Sequence, residues 1–175
     1  MSLVYVTGIS GSGKSAVYNE LKKRDYQVYG IDEDKLAGWY NNTTGAVEGY
    51  RKPEDRTEEW RRQVTYKIPR QRIESIAKDS KDQTMFLCGV AENDTELWNL
   101  FSKVFALTVD DNTLEHRITT RTSNDFGKLP HELAGILKWN KDYVEGYQQL
   151  GAVMIDATQP IEKVVDDILL EVKPT

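Results

Sequence analysis

Gly8-Ile9-Ser10-Gly11-Ser12-Gly13-Lys14-Ser15 fits the pattern G-x-x-x-x-G-K-[ST] at every fixed position. The residues before it, Leu3-Val4-Tyr5-Val6-Thr7, form a short apolar, β-prone run, and those after it, from Ala16 to Lys23, read as a helix. That is the strand–loop–helix context a phosphate-binding loop requires. Glycines let the backbone curl so that successive N–H groups point at a phosphate chain. The N-terminus of the following helix adds partial positive charge. Lys14 is suited to the β- and γ-phosphates of ATP, and the Ser15 hydroxyl to Mg²⁺.

Composition narrows the surroundings of this loop. The 175 residues suffice for one domain with a real core. The formal net charge is -5, a poor balance for nucleic acid or an anionic membrane as partner. One cysteine, Cys88, allows no internal disulfide, which points to a cytoplasmic setting. No apolar run approaches the ~18 residues of a membrane span. A cleavable signal at the N-terminus would destroy the motif, so none is expected.

The rest of the chain alternates strands and helices. A helix is expected over 14–24 and a strand over 26–31, with Asp32-Glu33-Asp34 at its end. The polar, turn-rich stretch 38–52 reads as a loop. Trp60, Val64 and Ile68 lie four apart, so a long helix is expected from Pro53 to about Lys78, kinked or broken at Pro69. Residues 84–90 read as a strand covered on both faces, 94–101 as a short helix and 103–109 as another buried strand. Asn112 and Glu115 have the spacing of a capping box for the next helix. Leu129-Pro130 opens a helix to about Leu150, 152–156 is the last strand, and Pro160 begins the final helix. The pattern predicts an α/β domain with a five-stranded parallel sheet and helices on both faces.

Three constellations carry chemistry. Asp32 and Asp34 stand at a strand end, where ligands bind in open α/β sheets. In an extended segment both would face the phosphate loop, one suited to general base and the other to Mg²⁺ through water. Arg117 and Arg121 share a helix face and suit base stacking or a phosphoryl clamp. Residues 61–72 hold Arg61, Arg62, Lys67, Arg70 and Arg72 with no acid, a patch that suits an anionic substrate group. Asp125-Phe126-Gly127 spells a protein-kinase triplet without its companion motifs. Asn140-Lys141-Asp142 spells a guanine signature but falls in a helix, and His116 and His131 lack metal-ligand spacing with Cys88.

With these residues in place, the chain resembles the small P-loop kinases: shikimate kinase, gluconate kinase, adenylate kinase and their relatives. The resemblance rests on the loop at 8–15, the Asp32-Glu33-Asp34 triplet, the run from Leu114 to Arg121, and Ile155-Asp156-Ala157-Thr158-Gln159-Pro160. It implies a three-layer P-loop NTPase fold in a single domain over 1–175, with a helical substrate insert at 36–80 and a lid at 122–131. It implies that Gly8, Ser10, Gly11, Ser12, Gly13, Lys14, Ser15 and Ala16 hold ATP, with Arg117 on adenine and Thr158 to Pro160 bordering it. Ser15 and Asp32 would hold Mg²⁺, and Lys14, Asp34 and Arg121 would be catalytic, Asp34 as the base. Asp34, Arg61 and Arg62 would contact the acceptor. Cys88-Gly89-Val90-Ala91 supplies no acid after the third strand, where many relatives place one.

The expected function is ATP-dependent transfer of a phosphoryl group to a small hydroxyl-bearing acceptor, in a monomer or homodimer. A nucleoside monophosphate kinase and a nucleotide-dependent regulatory switch are the alternatives. A base at the strand end favours the hydroxyl acceptor, and the insert's arginines favour an anion.

Overall fold

A computed structural model describes residues 2–49, 51–80 and 83–172. The single-domain expectation over 1–175 extends to residues outside these. The chain runs β1 (Ser2–Thr7), α1 (Lys14–Lys23), β2 (Gln27–Gly30), β3 (Gly38–Asn41), β4 (Val47–Glu48), α2 (Glu58–Gln63), β5 (Val64–Lys67) and α3 (Arg70–Asp79). It continues with β6 (Thr84–Cys88), β7 (Lys103–Thr108), α4 (Asp111–Thr120), α5 (Pro130–Gln149), β8 (Val153–Asp156) and α6 (Ile161–Val172). Two 3₁₀ segments, Pro53–Asp55 and Asp94–Leu100, interrupt the connections.

Five strands form the predicted parallel sheet, in the order β2-β6-β1-β7-β8. The apolar runs explain why. Val4, Tyr5 and Val6 of β1 lie beside Phe86, Leu87 and Cys88 of β6, all buried, so both sheet faces need helical cover. Helices α1 and α6 pack together, as do α4 and α5, completing a three-layer P-loop NTPase fold. Parallel register brings the ends of β1, β2 and β6 to one edge, where the phosphate loop begins.

The insert departs from the helical expectation. The stretch 38–52 contains strands β3 and β4, which with β5 make a three-stranded antiparallel sheet. Its Asn-Asn-Thr-Thr-Gly run is the hairpin turn: the Asn41 side chain accepts from the amides of Thr43 and Thr44 at 3.0 Å each. The long helix over 53–78 does not form. Helix α2 stops at Gln63, because Val64-Thr65-Tyr66 is β-prone and pairs with β3. The amide and carbonyl of Ile68 bond the Asn93 side chain at 2.9 and 3.0 Å, so the break precedes Pro69. Trp60, Val64 and Ile68 are all buried, but only the first is helical.

Two local expectations also shift. Asp110, not Asn112, caps α4, its Oδ1 accepting from the Thr113 amide at 2.9 Å. The short helix expected over 94–101 forms as the 3₁₀ segment Asp94–Leu100.

Gly89, just past β6, fixes the junction between the sheet and the site. Its φ is +153°, and a Cβ there would lie 2.4 Å from the Cβ of Ile31, which is itself fully buried. Neither backbone nor neighbour can yield cheaply. Gly89→Ala is expected to lower stability by about 2–3 kcal/mol, read as a fall in the urea midpoint at unchanged m-value.

Candidate nucleotide and acceptor site

The loop between β1 and α1 is tied by the Ser12 amide on the Ile9 carbonyl, at 3.1 Å. Gly13 ends it at φ +110°, a left-handed conformation that glycine adopts without strain. Among the described residues, the amides of Gly13, Lys14 and Ser15 find no backbone acceptor. They are the orphan donors of a helix N-terminus, aimed where an anion belongs. The Lys14 ammonium donates to the Ile9 carbonyl at 2.7 Å. Removal from water pulls its pKa down to about 8, against the opposing pull of the Asp32 carboxylate.

The two arginines of α4 close over this loop. Arg117 donates from Nη1 to the Ser12 carbonyl at 3.3 Å and from Nη2 to the Ala157 carbonyl at 2.9 Å. Arg121 donates from Nη2 to Ser10 Oγ at 2.9 Å and to the Phe126 carbonyl at 2.5 Å, tying the loop to 122–131. Its Nε is buried without a partner among the described residues.

A cavity of about 1210 Å³ opens from this loop to the insert. That exceeds the usual ~300–1,000 Å³ of a single small-molecule site, so two ligands fit side by side. Ser10, Gly11, Gly13, Lys14, Ser15 and Ala16 line its floor. Arg117, Arg121, Asp32, Arg61 and Arg62 also reach it. Gly8, Ser12, Thr158, Pro160 and Asp34 do not line it. Gly8 and Ser12 shape the loop from below, since a Cβ on Gly8 would meet Ser12 Oγ at 2.2 Å. Thr158 instead sits in a turn capped by Asp156, donating its amide to Asp156 Oδ1 at 2.9 Å.

The paired-carboxylate expectation fails for a local reason. Residues 31–35 are a turn rather than extended chain, closed by the Leu36 amide on the Ile31 carbonyl at 2.8 Å. Asp34 is thereby carried round to accept the Gly30 amide on Oδ2 at 2.7 Å. Asp32 remains on the cavity wall, where Tyr66 donates its hydroxyl to Oδ1 at 2.6 Å. The basic patch disperses as well. Arg61 reaches Glu92 at 2.7 Å, Arg70 reaches Glu74 at 2.8 Å, and Arg72 donates to the Lys35 carbonyl.

Several site residues escaped the sequence reading. Arg56 is buried and clasps the 122–131 segment: Nε lies 2.8 Å from Glu132 Oε1 and Nη1 lies 3.0 Å from Asp125 Oδ1. The Gly127 amide adds a 2.7 Å bond to Glu132 Oε2. Asp125-Phe126-Gly127, which the sequence does not support as a protein-kinase motif, falls within the 122–131 stretch and supplies two contacts of this clasp. Asp94 is 1% exposed and accepts from Tyr5 at 2.9 Å, Tyr147 at 2.7 Å and Thr7 at 3.4 Å, fixing the strand end beside Gly8. Burial raises its carboxyl above the usual range. Nothing in local spacing distinguishes Asp94 or Arg56 from surface charges. The available signal was the two tyrosines at 143 and 147, four apart on α5.

Among the described residues no group of three or more His, Cys, Asp or Glu side chains is arranged to hold a metal. None of the described helices is long and apolar enough to cross a membrane.

No family model matches the chain, and no curated protein matches its sequence. Solved structures do resemble it along nearly its whole length. A shikimate kinase from Acinetobacter baumannii in complex with shikimate superimposes with TM-score 0.59 at 16% identity, covering 99% of this chain and 96% of that one. A deoxyadenosine kinase from M. mycoides with bound dATP gives 0.53 at 15% identity, covering 97% and 98%. A gluconokinase from Sinorhizobium meliloti 1021 gives 0.51 at 16% identity, covering 97% of each chain. The chain therefore shares the fold of the P-loop small-molecule kinases.

Proposed function

We propose that this protein is an ATP- and Mg²⁺-dependent kinase that phosphorylates a hydroxyl group on a small molecule held between the phosphate loop and the insert. The observation that carries this reading is a single cavity with Lys14 and the loop amides at one end and the Asp32 carboxylate on its wall. The likeness in fold to kinases solved with dATP and with shikimate supports it.

The roles follow from the geometry. The orphan amides of Gly13, Lys14 and Ser15 and the Lys14 ammonium hold the phosphate tail. Arg117, between the loop and the 157 turn, borders the base, and Arg121 faces spreading phosphoryl charge. Asp32 accepts the acceptor's hydroxyl proton as that oxygen bonds to the γ-phosphorus. The bond from the γ-phosphorus to the β-bridging oxygen breaks, and ADP leaves. Ser15, through its hydroxyl, and Asp32, through water, are the residues that would hold Mg²⁺. The cation, when bound, would offset phosphate charge. The Arg56 clasp holds the 122–131 lid over the cavity, excluding water that would waste ATP.

The monophosphate-kinase alternative leans on the insert's arginines, and Arg61 is already committed to Glu92. A pure switch has no need of cavity beyond the nucleotide. A coupled assay for ADP, run over nucleosides, nucleoside monophosphates, gluconate and shikimate, tests the proposal. Acceptor-dependent ADP formation is expected with one chemical class. ADP release at one acceptor-independent rate would favour the switch.

A further inference from the structure

The cavity changes character away from the phosphate loop. The guanidinium groups there look like an anion site only until their partners are traced. Arg61 Nη2 lies 2.7 Å from Glu92 and Nη1 donates to the Val64 carbonyl at 3.1 Å. Arg51 lies 3.1 Å from Glu48, and Arg56 is held by Glu132 and Asp125. Arg62 is at the rim, its side chain 75% exposed. An anion drawn to buried Arg56 must displace a carboxylate and leave it without its partner, and at Arg51 and Arg61, each 39% exposed, it meets a charge that Glu48 or Glu92 already offsets. For the buried Arg56–Glu132 pair that penalty rivals the attraction.

The apolar part of the wall points elsewhere. Trp39 lines the cavity, half-buried, and takes no part in the main core. Trp60 stands at 5.2 Å and Tyr66 at 5.0 Å, tilted on it by 57° and 46° rather than stacked flat. The Arg61 guanidinium lies 5.0 Å from the Trp39 ring centroid, an arrangement that fixes the ring without needing a core around it. Trp39 and Tyr66 are direct partners across β3 and β5, and Tyr66 also holds Asp32. The strand pair that offers the aromatic wall thus also places the proposed base.

We infer that the acceptor is an uncharged molecule with a flat, π-bearing ring and a free hydroxyl. The ring lies against Trp39 and Tyr66, and the hydroxyl reaches Asp32. This rests on the kinase reading and names the substrate class of that site. Flat rings gain on aromatic faces without a charge to desolvate.

The test measures binding rather than turnover. Adenosine, uridine and pyridoxine are the uncharged ring probes; AMP, UMP, gluconate and shikimate are the charged ones. Affinities are read by calorimetry with a non-hydrolysable ATP analogue present, after uptake of the analogue alone has been measured. At least one ring probe is expected to bind tenfold or more tighter than every charged probe. Trp39→Leu should weaken that probe at least tenfold and Trp39→Phe less than threefold, with analogue affinity unchanged in both. Glu92→Gln frees Arg61 and should bring the monophosphates at least fivefold closer to the ring probe. A charged probe that binds as tightly as the best ring probe, a failure of all ring probes, or a Trp39→Leu protein that binds as well as wild type overturns the inference. Absence of analogue uptake overturns the kinase reading itself, so the two failures are separable.

Discussion

Lys14→Met is expected to reduce kcat/KM by 10²–10³-fold, about 3–4 kcal/mol, the range for losing one preorganised donor to developing charge. The methionine matches the stem in length, so what is lost is the ammonium together with its bond to the Ile9 carbonyl. The wild-type lysine carries its own pH signature. Without ligand its pKa is drawn down from 10.5 to about 8 by burial. A bound phosphate chain favours the charged form, so nucleotide uptake above pH 8 draws a proton from solution, and affinity falls as pH rises past that point. Calorimetry in buffers of differing ionisation enthalpy reads that proton directly. Stability runs the opposite way. Between about pH 8 and 10.5 the unfolded chain holds more protons at this site than the folded one, so ligand-free stability gains from rising pH in that window. The methionine variant should lose this gain, its melting temperature no longer rising through that window. A Lys14→Met protein with near-wild-type turnover would remove the lysine from the mechanism.

What the sequence discloses here depends on how local the physics is. The phosphate loop and the five parallel strands are written in short runs whose meaning does not depend on distant partners. A strand such as 84–88 must be covered on both faces wherever it lies. Arg117 and Arg121 were legible because helix spacing alone puts them on one face. The insert was not, because Val64-Thr65-Tyr66 takes its strand form from pairing with β3 some 23 residues away in sequence (Asn41 beside Val64). Val64 and Ile68 are buried, but not on the helix that their spacing with Trp60 predicted. The site's least legible parts are its charge pairings. Arg61 and Arg56 are signed by partners 31 and 76 residues distant, Glu92 and Glu132. A basic run therefore read as an anion site until its neutralising carboxylates came into view.

The two aspartates give the sharpest test, because sequence and geometry assign them differently. Spacing made Asp32 and Asp34 equivalent, and family resemblance gave the base to Asp34. The turn at 31–35 breaks that symmetry by committing Asp34 to the Gly30 amide at 2.7 Å. Asp32 has one oxygen oriented by Tyr66 and stands on the cavity wall. Asp32→Asn keeps the shape and can still accept from Tyr66, but it cannot take a proton. It is expected to lower kcat by 10²–10⁴-fold, the usual range for a general base, with KM for ATP within threefold of wild type. Asp34→Asn should retain kcat within fivefold, since its amide oxygen can still accept from Gly30, whereas Asp34→Ala should lose about 0.5–1.5 kcal/mol of stability, the value of that one hydrogen bond. Magnesium separates the two roles proposed for Asp32. If the carboxylate served mainly as a water-mediated metal ligand, excess Mg²⁺ would restore the asparagine variant; a lost base is not restored by cation at any concentration. Turnover that survives in Asp32→Asn but collapses in Asp34→Asn would mean that the turn reopens when the acceptor binds and that the strand-end reading was the better guide.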